Sequence, residues 1–384
     1  MRRTAIAALL AAACLAVSAA TAGADSITRE FPASAGGLLT LDLESGGSVE
    51  ISGTGGSSIS VTYDLSCKPE CDIAFEETKG GLKVTSNFKG HGGKQSSSSD
   101  FKIRVPRSFN VELDSMGGEF SLDGVDGKFT GETKGGALKL HDVKGEAELT
   151  TMGGEIEVTD STLDGHLKTM GGEVRIENVV GDVKASSMGG NVRYKNVTRR
   201  DGGVASPERT GKGLDEVKPD SVQISTMGGP IEVKDAPEGA DLHTMGGDIN
   251  VQNAQRFVRA TTMGGDIEIG SVDGWVKATT MGGDISVTVT GKGGDVALTS
   301  NGGEITLHVP SGFRMDLDLE IAYTRNSSQE YKIVAPGGLK ATVSPEWDHT
   351  HGSPRKYIKM SGAVNGGGNK VKIETINGNI SVKE

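Results

Sequence analysis

Four sets of side chains in this sequence have the types and spacing to do chemistry. Cys67 and Cys71, in CKPEC, are the two cysteines that remain once Cys14 is set aside. In an oxidising compartment two nearby cysteines are most simply a disulfide. Zinc would want four ligands, and no further Cys or close His pair flanks them. His349 and His351, in WDHTHGSPRKY, are a close histidine pair, and with Asp348 they make an incomplete metal or catalytic set. Acidic residues follow Gly-Gly pairs at Glu119, Glu155, Glu173, Asp248, Asp266, Asp284 and Glu304. Stacked carboxylates are hard oxygen ligands of the kind calcium takes. Calcium-holding nonapeptide repeats, however, use Gly-Gly-x-Gly-x-Asp. Here Ile or Val stands at the fourth position, and Ala137, Asn191 and Pro230 interrupt the series. The column therefore reads as a solvated edge that discourages lateral aggregation. Finally, Met116, Met152, Met170, Met188, Met227, Met245, Met263 and Met281 precede Gly-Gly pairs, and a thioether column is a soft ligand set suited to copper(I). No G-x-S-x-G, H-E-x-x-H or complete P-loop occurs.

The elements that must position these residues are repeats. Gly-Gly pairs begin at 117, 135, 153, 171, 189, 228, 246, 264, 282 and 302, so the step is 18 except for one of 39 and a last one of 20. A fixed period of this size signals a repeat architecture. The 39-step is two repeats plus three residues, or one repeat carrying a 21-residue loop. The segment 195–220 is rich in Gly, Pro and charge without alternation, and it reads as that loop. Within one repeat the apolar positions are Ile267, Ile269, Val272, Val276, Ala278 and Met281, and the repeats 135–152 and 171–188 agree. Steps of two keep side chains on one face of a strand, and the longer steps need bends, with Gly265 and Gly274 placed there.

The pattern predicts an all-β chain: a single parallel β-solenoid, a right-handed β-helix by the crossover rule, with 18-residue coils made of two 9-residue half-repeats. Because the methionines take the place that Val272 holds in the other half of the coil, they are expected in the core, filling corner space, and not on copper(I). The threonines before them (Thr150-Thr151, Thr261-Thr262, Thr279-Thr280) read simply as good strand residues. A second echo joins VPRSFNVELD (105–114) to VPSGFRMDLD (309–318), each read as a strand leading into a new stretch.

Residues 1–24, MRRTAIAALLAAACLAVSAATAGA, have two arginines, a short apolar run and a small-x-small site, the pattern of a secretory signal peptide. The rival reading is lipidation at Cys14, but Ala11-Ala12-Ala13 before it lacks the usual leucine. Cleavage after Ala24 would leave 25–384 as a single β-solenoid domain with 38 Lys+Arg against 51 Asp+Glu, a net charge of -13. An acidic chain without a basic cluster is a poor nucleic-acid binder. No later segment approaches ~20 consecutive apolar residues, so no transmembrane segment is expected in the mature chain.

With LTLDLESGGSVEISG, the MGGEIEV-like rungs, the V-P-x-x-F segments and the final VKIETINGNISV, the chain resembles the bacterial putative-adhesin family of secreted β-solenoid domains of unknown function. The resemblance spans nearly all of the mature chain, and its motifs are structural. It implies a non-enzymatic, exported cell-envelope or extracellular protein, adhesin-like, with no cofactor and no catalytic residues to carry over. An envelope protein or a polysaccharide is the expected partner. The alternatives are a carbohydrate-active β-helix enzyme (lyase or hydrolase), which would need clustered acids and aromatics on a groove, and an envelope-stress regulatory binding protein. Since a regular repeat repeats its surface, a specific partner is best placed where repetition breaks. The candidate partner-binding loop therefore carries Arg199, Arg200, Arg209, Lys212 and Lys218.

Overall fold

The computed structural model describes residues 26–64, 71–88, 100–198, 221–291, 293–327, 329–350 and 352–384, with backbone alone for Cys71 and Phe88. Among them there is no helix; the chain is all-β, with its strands joined in one mixed sheet. The middle of the sheet is parallel and keeps the sequence period as its register. Leu138 pairs with Ile156, Ile156 with Val174 and Val174 with Val192. Beyond the 39-residue step, Ile231 pairs with Ile249, Ile249 with Ile267 and Ile267 with Ile285. Val192 pairs directly with Ile231, and Ala185 with Ile224. The 39-step is therefore one rung with an insertion and not two rungs. The strand Val192–Thr198 also takes in the first four residues assigned from sequence to the loop.

Columns of like residues make the core, as the alternation predicts. One runs Ile231, Ile249, Ile267, Ile285 and Ile305, all at most 1% exposed. A second column stands at the bend. Gly124, Asp142, Asp160, Asn178 and Asn196 occupy successive rungs with φ between 47° and 66°. Asn and Asp tolerate this left-handed conformation better than other non-glycine residues. Their side chains also join rung to rung, Asn178 Nδ2 donating to Asp160 Oδ1 (3.0 Å) and Asn196 Nδ2 to Asn178 Oδ1 (2.9 Å).

The sheet departs from a single parallel stack at both ends. Ser26–Pro32 pairs antiparallel with Ser58–Asp64, which pairs antiparallel with Phe101–Pro106. Near the C-terminus, Met315–Thr324 and Thr342–Val343 both pair antiparallel with Arg355–Val364. Rung order also departs from chain order there. Val49–Thr54 lies between Phe101–Pro106 and Phe120–Asp123. Ile380–Lys383 lies between Ile305–His308 and Ile333–Val334. At each place the chain must step over an intervening rung, and each step is a V-P-x-x-F segment. Val105, Phe109, Val309 and Phe313 are all buried at these crossings. The echo read as a leading strand is thus the crossover that lets a terminal rung slot into the stack.

Candidate functional site

The surface of the repeat is set by its T-M-G-G turn. The strand alternation continues past Ala278 to Thr280, which is fully buried, so Met281 falls on the outside. The same holds along the ladder: the eight methionines are 39–55% exposed, while the Ser or Thr before each is buried. The expectation of a buried methionine column is overturned. Its physical reason lies in the hydroxyl one residue earlier, on a residue that the sequence alone marks only as strand-favouring. Thr151 Oγ1 donates to the Gly136 carbonyl of the preceding rung (2.8 Å) and accepts from the Gly154 N–H of its own turn (3.2 Å). Thr262 does the same with Gly247 O (2.9 Å) and Gly265 N (3.3 Å). Ser187 substitutes without loss, bonding Gly172 O and Gly190 N, each at 2.8 Å. A buried polar group without partners would be costly, and here both sides are satisfied. The signal was legible: a hydroxyl residue precedes every one of these methionines.

The two glycines have different reasons. A Cβ on Gly265 would sit 2.1 Å from Gly247 O, whereas one on Gly264 would be 3.7 Å from its nearest neighbour, Gly246 O. Only the second glycine is demanded by the close approach of the rungs. The first is open, and it leaves bare backbone beside each methionine.

The acidic column is tied into the backbone. Asp248 Oδ1 accepts from Asp266 N (2.9 Å), Asp266 Oδ1 from Asp284 N (2.7 Å) and Asp284 Oδ1 from Glu304 N (2.7 Å). Elsewhere it is paired with cations, Glu119 with Lys139 (2.8 Å) and Glu173 with Arg193 (3.3 Å). Among the described residues no group of three His, Cys, Asp or Glu could hold a metal ion. Asp348 shapes a turn, accepting from Thr350 N (2.9 Å) and from the Tyr357 hydroxyl (2.9 Å). His349 is exposed. His351, Cys67, the Cys71 side chain and all five candidate loop residues (Arg199, Arg200, Arg209, Lys212 and Lys218) lie outside the described residues.

A surface group that the sequence reading did not assemble stands on the antiparallel C-terminal cap. Tyr323 lies 5.8 Å from Trp347, edge to face, and 6.1 Å from Tyr331. The Lys356 ammonium sits 5.4 Å from the Trp347 ring centre. These side chains and Tyr357 are all half-exposed. Tyr and Trp present an apolar face with a polar tip, which is why they gather at contact surfaces. Burial is the first cause that raises the Tyr357 pKa, and its hydrogen bond to Asp348 adds to it. Elsewhere Phe31, Tyr63 and Phe101 are buried at the N-terminal end with Phe75 partly exposed against them, and Phe257 is buried beneath a partly exposed Trp275.

Fold and surface together define an all-β repeat protein with a paired, turn-stapled core and an exposed methionine ladder. Its sequence matches the family model Toastrack DUF4097 over residues 39–383, and the chain belongs to that family. Among solved structures it is similar to a putative adhesin from Parabacteroides distasonis, at 13% identity and a TM-score of 0.32, covering 75% of this chain and 98% of that one. It is also similar to a putative cell adhesion protein from Clostridium sporogenes, at 10% identity and a TM-score of 0.17, covering 93% and 99%. A third, a putative lipid binding protein from Parabacteroides distasonis, shares 12% identity at a TM-score of 0.25, covering 74% and 97%. No curated protein matches the chain. Neither the family nor these neighbours carries the name of an enzyme. No described helix is long and apolar enough to cross a membrane.

Proposed function

We propose that this protein is an exported, non-enzymatic, adhesin-like envelope protein that holds a polysaccharide of the envelope or of a neighbouring cell. In this reading residues 1–24 are a signal peptide, 25–384 form one domain, and the parallel rungs wind as a right-handed solenoid that serves as a stiff support. The observation that carries the reading is the half-exposed Tyr323–Trp347–Tyr331 group with Lys356 at its edge. Aromatic faces take the C–H faces of sugar rings, and a cation beside them suits the acidic groups of many envelope polymers. The cap is also where the repeated surface ends, so a specific contact can be built there once. The loop carrying Arg199, Arg200, Arg209, Lys212 and Lys218 is proposed as a second contact, since Arg is favoured at binding hot spots.

A glycan array and pull-down from envelope material, run with the parent, Trp347→Ala, Lys356→Ala and a deletion of 199–220, tests the proposal. Loss of retention in Trp347→Ala or Lys356→Ala with an unchanged melt supports it. Retention equal to the parent in all three variants overturns it. Release of shortened sugar products would favour the lyase or hydrolase reading. Capture of one envelope protein in place of glycan would favour a regulatory role.

A further inference from the structure

We infer that the exposed methionine ladder is a binding site for a soft monovalent metal, copper(I) in its chemical class, an inference that goes beyond the adhesive reading and does not depend on it. From Met152 to Met281 seven consecutive rungs present a methionine at the same position, because the pairing of Ser187 with Thr226 makes Met188 and Met227 neighbours. These side chains are 39–55% exposed, so they are not held as methionine by the core.

Two exceptions show that the fold does not require Met there. Lys134 and Asn301 occupy the same turn position on other rungs, with the same buried hydroxyl before them and the same backbone bond to the preceding rung. A position that accepts Lys and Asn is free to take any solvated residue. Simple copying of the repeat does not fix it either, since the position after the glycines varies among Glu, Asp, Asn and Pro on these same rungs.

An apolar contact strip would admit Leu, Ile, Val or Phe, yet none appears on the seven rungs from Met152 to Met281, and Ile376 takes the position only on the rung paired beyond Asn301. What Met has and they lack is sulfur. Thioethers select soft ions such as copper(I) over zinc, calcium or magnesium. The spacing fits: metal–sulfur bonds are about 2.3 Å, so an ion held between two sulfurs spans ~4.6 Å, and parallel rungs repeat at ~4.8 Å. Each side chain has three rotatable bonds with which to converge on an ion, and the bare first glycine beside it leaves room to do so. The Asp248, Asp266 and Asp284 carboxylates run alongside and favour a cation in the same strip. The ladder would take about two ions at roughly three sulfurs each.

The test uses the mature protein, with silver(I) as a redox-inert stand-in and copper(I) poised by a competing chelator such as bathocuproine disulfonate. Expected are uptake of metal against the chelator and shifts of the methionine methyl NMR signals of the ladder. The triple variant Met227→Leu, Met245→Leu, Met263→Leu keeps the apolar area and removes the central sulfurs. It should melt like the parent and lose most of its metal uptake. A parent that takes no metal from the chelator, or a leucine variant that takes as much, overturns the inference. Glycan retention is expected to be the same in parent and leucine variant, so loss of metal binding and failure of the adhesive reading are separately visible.

Discussion

Thr262→Val is the most direct perturbation of the turn that organises this molecule. The substitution is close to isosteric and leaves a strand-favouring residue, so any cost comes from the hydroxyl. Thr262 is 1% exposed, and its Oγ1 accepts from Gly265 N at 3.3 Å and donates to Gly247 O at 2.9 Å. Removing it leaves a buried N–H without its acceptor, at about 1–3 kcal/mol, and forfeits a donor to a buried carbonyl, at about 1 kcal/mol. The expected loss is about 2–4 kcal/mol. Met263→Asp, one residue away, places a charge where the side chain is already about half exposed, and should stay within ~0.5 kcal/mol. Repeat arrays need not unfold in one step, so the reporter must be local. Trp275 serves, being stacked on Phe257 at 4.8 Å in the strand paired with that of Thr261. In a Trp347→Phe background its fluorescence in urea follows these rungs alone. If Thr262→Val unfolds within half a kcal/mol of the parent, or Met263→Asp costs as much as Thr262→Val, the assignment of the buried column to the hydroxyls is wrong.

Three further outcomes are expected. Gly264→Ala should melt like the parent and Gly265→Ala should fail to fold or melt far lower, since its Cβ would meet a carbonyl at 2.1 Å; equal melts would refute the rung approach. Tyr194 is buried with its hydroxyl donating to Val183 O at 2.9 Å, and burial raises its pKa, as it does for Tyr357. The folded state thus holds its phenol protons more tightly than the unfolded chain. That leaves stability from these two groups intact below the ordinary tyrosine pKa of about 10 and makes it fall as pH rises above it; the Tyr194 phenol, followed by its ring NMR signals, should ionise only together with unfolding, and its ionisation near pH ~10 in a folded chain would contradict this. Intact mass of exported protein should show a chain starting at Asp25 with Cys67 and Cys71 bridged; a lipid adduct on Cys14 would sink the first half and two free thiols the second.

The sequence by itself determined the strand content, the period and the core columns. A two-residue alternation leaves few ways to bury Ile231, Ile249, Ile267 and Ile285 except in register. It also located the insertion in the 39-step, and its rung and V-P-x-x-F motifs carried the family resemblance. What it could not decide is which residue of T-M-G-G faces inward. Hydrophobicity assigns Met281 to the core and Thr280 to the surface, and the structure reverses both because Thr280 Oγ1 finds Gly265 O on the preceding rung at 2.9 Å. A hydrogen bond across rungs is invisible to a pattern read along one chain. The order of the end rungs was hidden for the same reason. Nothing local in the final strand says that Ile380 pairs with both Ile305 and Ile333. The aromatic group on the cap joins residues 323, 331, 347 and 356, which only antiparallel pairing of Met315–Thr324 with Arg355–Val364 brings to one surface.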